Sequence, residues 1–207
     1  PNCSLVQILE TVPPEILFCR DYPYYSSFSD YWLTHSRDNA LDLIARRRLN
    51  EQSFVLEIAS NDGYLLQYFV KREIPVLGIE PAANVAPSAE EKGVKTIVKF
   101  FGQQTAKELA AEGIQADLLL GNNVLAHVPD INDFVEGMKI LLALDGVITM
   151  EFPHLVRLME ENQFDTIYHE HFSYLSFITV RNIFAEHGLS VFDVEELSTH
   201  GGSLRIY

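Results

Sequence analysis

Two cysteines in 207 residues, Cys3 and Cys19, are too few for a disulfide framework, so the expected setting is a reducing cytoplasm. Basic residues are scarce. Fifteen Lys and Arg stand against 29 Asp and Glu, for a formal charge of −14. That balance disfavours nucleic acid and anionic membrane surfaces, while leaving room for a small anion held in a local pocket. No apolar run reaches the length of a membrane span, and even "KILLALDGVITMEF" is broken by Asp145. Internal repeats and low-complexity segments are absent. The opening "PNCSLVQ" has neither an initiating Met nor a signal peptide, and we expect a piece of a longer chain. What remains is 47% hydrophobic and 21% charged, an ordinary globular composition with enough chain for one sizeable core and an appendage. The expected assembly is a monomer or a weak dimer.

Residues 1–30 are aromatic and punctuated by proline ("TVPPEILFCRDYPYYSSFSDYW"), with little periodicity. A helix is predicted from Asp30 to Leu49, ending in Arg46, Arg47 and Arg48, a solvated basic terminus that suits the helix dipole. Beyond it, apolar strands and amphipathic helices alternate. "SFVLEIA", "PVLGIEP", "KTIVKFF", "ADLLLGNN", "GVITMEF", "LSVFDVEEL" and "GSLRIY" read as strands. "GYLLQYFVKRE", "VAPSAEEKG", "GQQTAKELAAEG", "INDFVEGMKILLAL" and "ITVRNIFAEHG" read as the intervening helices. The pattern predicts a doubly wound α/β fold over 31–207, with a mostly parallel seven-stranded sheet and an aromatic N-terminal extension. In such a sheet, ligands bind at the carboxyl ends of the strands.

The first strand runs into "LEIASNDGYLL", where Glu57, Ala59, Asn61 and Gly63 occupy alternate positions of a nucleotide-binding turn. Glycine and, less readily, asparagine allow positive φ there. Glu80 closes the second strand, where a carboxylate can accept hydrogen bonds from ribose hydroxyls. Asn122 and Asn123 end the fourth strand. Pro81, beside Glu80, and Phe101, at the end of the third strand, complete the expected cofactor side. A dinucleotide needs several backbone N–H groups for its pyrophosphate, and the sparse glycines do not offer the full fingerprint. S-adenosylmethionine has no phosphate, and Glu57 is placed to hold its amino group directly or through water. It is the favoured cofactor.

The stretches "VLEIASNDGYLL", "GIEP", "NNVLAHVPDINDF", "EFPHL", "FDTIYHEHFSYLS" and "HGGSLR" together resemble the sugar C-methyltransferases. The resemblance implies a Rossmann-like methyltransferase fold and methylation, from S-adenosylmethionine, of C3 in a nucleotide-linked 4-keto-deoxysugar. It also implies longer relatives, with a zinc-binding segment in front and a further α/β domain behind. Cys3 would then be the last ligand of a zinc site present only in the full-length protein. Residues 1–30 would combine the tail of that segment with a cover over the active site. Ala59 departs from the family pattern, which usually has Gly there.

Within "YHEHFSY", a metal site from His169, Glu170 and His171 is disfavoured because adjacent side chains diverge. A purely structural loop is the bland alternative. Acid/base chemistry fits best, since a carbon beside a ketone is methylated only after losing a proton, with the enolate stabilised as it forms. By resemblance, His171 is the base, Glu170 orients an imidazole or substrate, and Tyr168 donates to developing oxyanion charge. His127 is a further active-site position, and Tyr22 meets the substrate from the cover, although Tyr24 and Tyr25 remain open on the residues alone. His154, His187 and His200 are expected to be surface or structural. The rival readings are an O- or N-methyltransferase, an NAD(P)-dependent oxidoreductase and a non-catalytic binding module. The expected partner is a nucleotide-sugar substrate, with no nucleic acid and no membrane.

Overall fold

The structure, a computed structural model, describes residues 3–9, 11–18 and 21–207; Cys19 lies outside them. A short antiparallel ribbon pairs β1 (Val6–Gln7) with β7 (Ser173–Tyr174). The main sheet holds β2 (Val55–Ile58), β3 (Val76–Ile79), β4 (Thr96–Ile97), β5 (Ala116–Asn122), β6 (Leu142–Pro153), β8 (Val194–Leu197) and β9 (Ser203–Ile206). Their order is β4-β3-β2-β5-β6-β9-β8. Neighbours from β4 to β6 pair in parallel, and β9 runs antiparallel between β6 and β8. The predicted doubly wound, mostly parallel seven-stranded sheet is the observed one.

Both faces of the central strands are covered, which is why they are apolar without alternation. Leu56, Ile58, Leu77, Ile79 and Leu119 pack with Phe134, Val135, Met138 and Leu141 of α6 (Ile131–Leu141) and with Ala106 and Leu109 of α5 (Gln103–Ala111). Val180 and Phe184 of α8 (Phe177–Glu186) extend the same core. On the opposite face Val55, Leu118, Leu120 and Val147 pack with Trp32, Ala40 and Leu43 of α2 (Asp30–Arg47). Side-chain caps start these helices: Ser29 accepts from Trp32 N, Asp130 from Asn132 N and Asp133 N, and Ser176 from Thr179 N. Helix α2 ends at Arg48 in the left-handed conformation (φ 54°). Arg46 pairs there with Asp42 and Glu195, and Arg47 caps the Asp145 carbonyl, so the triple arginine closes a helix on the surface.

Two expectations need adjusting. "KTIVKFF" yields only the two-residue β4, a short edge strand, and "GYLLQYFVKRE" yields α-helix only at α3 (Gln67–Val70). Gly63 (φ +74°) belongs to a tight turn that delays the helix. The zinc site is expected only in the full-length protein. Cys3 is exposed and free, and no group of three His, Cys, Asp or Glu suited to a metal exists among the described residues. Instead Val6 and Gln7 pair with the loop beyond His171. Short helices α1 (Pro14–Leu17), α4 (Ala86–Glu90) and α7 (Leu155–Glu160) fill the connections. No helix among the described residues is long and apolar enough to cross a membrane.

Candidate active site

At the carboxyl ends of β2, β3 and β5 a cleft opens with about 960 Å³ of free space, its mouth included. Ala59, Asn61, Glu80, Pro81, Phe101, Asn122 and Asn123 line it from one side, and Tyr22 and His127 from the other. The turn after β2 takes the left-handed conformation at Ala59 (φ 56°), Asn61 (φ 48°) and Gly63 (φ +74°). At Ala59 that conformation is strained, since a Cβ crowds the following carbonyl; Asn61 tolerates it better. Gly63 itself faces away from the cleft, with Ala89 and Val94 about 3.1–3.2 Å from where a Cβ would stand.

Glu80 is buried, and its oxygens accept from Asn61 N (2.9 Å) and Ala82 N (2.8 Å). Burial raises its pKa, an effect these two N–H groups partly offset. Each oxygen keeps a lone pair for a ligand hydroxyl. Asn122 is buried with neither amide atom hydrogen-bonded, and Asn123 Oδ1 is likewise unpartnered. Unpaired buried amides at the floor of a cleft are groups that a polar ligand would satisfy. Together with the ribose-ready carboxylate and the absence of a glycine-rich phosphate cradle, they suit a nucleoside without a pyrophosphate.

Glu57 is placed differently from the expectation. It is fully buried in β2, in register between Gly78 and Leu120, and does not line the cleft. Neither of its oxygens makes a hydrogen bond of normal geometry, and burial holds its pKa well above the usual carboxylate range, with the Tyr64 hydroxyl beside it pulling the other way. Direct contact with a cofactor amino group is therefore not what this position offers.

Opposite the cofactor turn, the histidine-rich loop folds over a 3₁₀ turn at Phe164–Thr166 and returns in β7. His171 is buried and His169 exposed, so the alternate imidazoles diverge. The Thr166 carbonyl lies 2.8 Å from His171 Nδ1, and the Glu170 carbonyl 2.9 Å from His127 Nδ1. A carbonyl only accepts, so both Nδ1 atoms carry hydrogen and both neutral rings leave Nε2 as the basic atom. His171 Nε2 lies 3.1 Å from the Tyr168 hydroxyl, which donates to it. The two imidazoles meet edge-on at 4.8 Å between centroids. Burial pushes the pKa of His171 down, while its bond to Thr166 acts the other way. Burial, helped by the neighbouring His171, brings His127 to about 4. His127 forms the cleft wall; His171, Tyr168 and Glu170 stand behind that lining. Burial also raises the pKa of Glu170.

The cover tyrosines are now distinguished. Tyr22 and Tyr24 line the cleft, whereas Tyr25 stacks on Phe28 (5.3 Å) and gives its hydroxyl to Asn84 O. Burial, then the charges of Glu170 and Glu80, raise the Tyr22 pKa.

Sequence reasoning missed several cleft groups. His200, expected to be structural or on the surface, lines the cleft with its ring edge-on to Trp32 (4.9 Å). Trp32 stacks on Tyr64 (5.9 Å) and His35 (5.0 Å). Beneath them Glu151 is buried and holds Arg205 Nη2 (2.7 Å), His35 Nε2 (2.9 Å) and Thr199 Oγ1 (2.8 Å). Burial alone would raise the Glu151 pKa, but His35 and Arg205 hold it below the usual range. A glutamate and an arginine inside the apolar "EFPHL" and "SLRIY" stretches were the available signal. His187, bonded to Glu136 and Asn132, and the surface His154 stay outside the cleft.

The methyltransferase domain profile matches residues 32–194. The chain belongs to the methyltransferase domain family. This methyltransferase domain is 37% identical over 206 residues to the C-methyltransferase NovU of Streptomyces niveus; the match takes in 100% of the chain and 49% of NovU. The chain thus spans about half the length of that relative. Its fold is similar to magnesium protoporphyrin IX methyltransferase of Synechocystis PCC 6803 with bound S-adenosylhomocysteine (TM-score 0.65, 14% identity, 84% of this chain and 81% of that one). It is also similar to the 1,6-didemethyltoxoflavin-N1-methyltransferase of Burkholderia thailandensis with S-adenosylhomocysteine (TM-score 0.63, 17% identity, 88% and 81%).

Proposed function

We propose that the domain transfers a methyl group from S-adenosylmethionine to carbon, at the position beside the ketone (C3) of a nucleotide-linked 4-keto-deoxysugar. The observation that carries this reading is the pair of neutral imidazoles, half-buried His127 in the cleft wall and buried His171 behind it, beside a nucleoside-ready cleft. A carbon acid has no lone pair to attack with until such a base removes its proton, whereas an O or N acceptor already carries one and sheds its proton, where it has one, far more readily. The name of the relative, a C-methyltransferase, points the same way.

When bound, the cofactor supplies an electrophilic methyl group on its sulfonium. Glu80 holds the ribose hydroxyls through its free lone pairs, and Asn122 and Asn123 meet the remaining polar edges. His171 Nε2 takes the proton from a substrate carbon that reaches past the His127 wall, once the Tyr168 hydroxyl swings off that nitrogen. Tyr168, which donates to that nitrogen at rest, turns its hydroxyl towards the developing enolate oxygen as the ring becomes protonated. Tyr22 holds the sugar from the cover, with Glu170 near enough for its charge to act on Tyr22 and Tyr168. The Nδ1–H bond to Thr166 O keeps the ring oriented and Nε2 basic throughout.

The test is solvent exchange. In deuterated water, with S-adenosylhomocysteine bound, the domain exchanges the substrate proton beside the ketone, and with S-adenosylmethionine it delivers methyl to that carbon. Methyl transfer to oxygen or nitrogen, with no exchange at carbon, would refute the reading.

A further inference from the structure

Residues 22–27 form no helix or strand pairing of their own apart from the start of the 3₁₀ turn Ser26–Phe28, yet they carry Tyr22 and Tyr24 across the cleft. Two asparagine side chains take the place of a neighbouring strand. Asn84, in the loop between β3 and α4, accepts from Tyr22 N at 3.1 Å and donates to Tyr22 O at 2.9 Å. Its own carbonyl accepts from the Tyr25 hydroxyl. Asn61, in the cofactor turn, accepts from Ser26 N at 2.8 Å and donates to Tyr24 O at 3.2 Å. One residue on, Asp62 accepts from Ser27 N and pairs with Lys92, which also reaches the Ser27 hydroxyl. Only an amide side chain offers a donor and an acceptor side by side, as a peptide group does.

We infer that Asn84 is a positioning residue that sets Tyr22 over the substrate, and that Asn84 and Asn61 together tie this cover to the cofactor turn. Tyr22's part in catalysis rests on the function proposed above; the tie itself does not. The same Asn61 whose side chain grips Ser26 and Tyr24 gives its backbone N–H to Glu80 Oε2. A nucleoside that engages Glu80 therefore steadies the left-handed turn at Asn61, and through it the cover. Coupling of this kind is reciprocal, so an ordered cover also favours the nucleoside.

The experiment combines amide hydrogen exchange with steady-state kinetics on the wild type, Asn84→Ala and Asn84→Asp. The aspartate keeps an acceptor for Tyr22 N–H but loses the donor. In Asn84→Ala the Tyr22 amide exchanges about tenfold faster, the effect of one lost hydrogen bond, while Ser26 and Ser27 stay protected. Asn84→Asp recovers most of that protection. Added S-adenosylhomocysteine slows exchange at Ser26 in the wild type. Its affinity, read from the fluorescence of the single tryptophan, Trp32, in the cleft wall, changes by less than about threefold in Asn84→Ala, because Asn84 lies outside the nucleoside contacts. With a nucleotide-linked 4-keto-deoxysugar, kcat/KM falls by about tenfold or more through misplacement of one group. Adding Tyr22→Phe to Asn84→Ala then costs little further, since both act through one hydroxyl. Wild-type exchange at the Tyr22 amide in Asn84→Ala, or losses that multiply in the double variant, would overturn the inference. If the wild type does not methylate such a sugar, the proposed function fails, and the exchange arm still decides whether Asn84 and Asn61 hold the cover.

Discussion

On the expected cofactor side of the cleft, the lining groups sit at the ends of β2, β3, β4 and β5 or within four residues beyond, held by the register of a buried sheet. On the other side they ride on irregular chain, the cover at 22–27, the turn at Leu125–His127 and the turn at Thr199–Gly201, with the loop around Tyr168–His171 behind them. The first side offers a carboxylate and backbone turns whose geometry the sheet dictates. The second side places side chains by pairwise hydrogen bonds, Tyr168 to His171, His127 to the Glu170 carbonyl and Asn84 to Tyr22. A strand end tolerates little variation in position, which suits a constant cofactor. Loops can be rebuilt one contact at a time, which suits a substrate that differs between relatives.

If the contrast is real, damage to the loop side appears in rate and damage to the strand side in affinity. The largest effect is expected at His171. His171→Asn removes the basic nitrogen, and turnover should fall by about 10²–10⁴ with exchange of the substrate proton lost in parallel. Its S-adenosylhomocysteine affinity should be nearly unchanged by calorimetry; retained turnover and exchange would move the base to another residue.

A second effect lies in stability. His127 titrates at 6.5 unfolded and about 4 folded. Between those values the unfolded chain binds a proton that the folded ring refuses. Stability from this group is therefore fully present above pH 6.5 and is lost as pH falls towards 4. The shift corresponds to about 3 kcal/mol. The lowered pKa values of His171 and His200 act in the same direction, whereas the raised one of Glu57 opposes them as pH rises. Denaturant melts of wild type and His127→Asn across that window should differ in slope, with the variant flatter; parallel curves would contradict the neutral ring.

On the strand side, Glu80→Ala should weaken S-adenosylhomocysteine binding by about 1.5–3 kcal/mol, the worth of hydrogen bonds to a charged group. Because Glu80 also holds Asn61 N and Ala82 N, Glu80→Gln is the control that keeps an acceptor there. Unchanged calorimetry in both would remove Glu80 from the site. The smallest effect is at Ala59, where relief of a left-handed alanine should make Ala59→Gly more stable by about 1 kcal/mol. For a chain of this size that raises the melting temperature by roughly 2–4 °C, measurable by calorimetry. A lower melting temperature would mean that the turn does not strain alanine.

The strand side was legible because its signals are local. Apolar runs ending in Glu80 or Asn122–Asn123, and small or turn-forming residues at Ala59, Asn61 and Gly63, state their geometry within a few residues. The loop side was legible only as composition. The density of "YHEHFSY" marked it as chemical, but nothing local says that His171 is buried behind His127 or that Glu170 contributes its carbonyl. His200 and Trp32 went unnoticed because an isolated histidine beside two glycines, and a tryptophan in an aromatic segment, have no periodicity that points into a cleft.

The alternation of strands and helices, the mostly parallel sheet and the end of it where the cleft opens were determined by the sequence alone, since hydrophobic period and strand-end polarity act over short range. The tertiary structure decided which tyrosines face the cleft, why Glu57 stays beneath it, and which ring nitrogen is basic. Those depend on partners far along the chain: Asn84 for Tyr22, the Leu120 register for Glu57, and the carbonyls of Glu170 and Thr166 for the two imidazoles. A side chain's direction and protonation are set by what surrounds it, and in an irregular loop that surrounding is supplied by the rest of the fold.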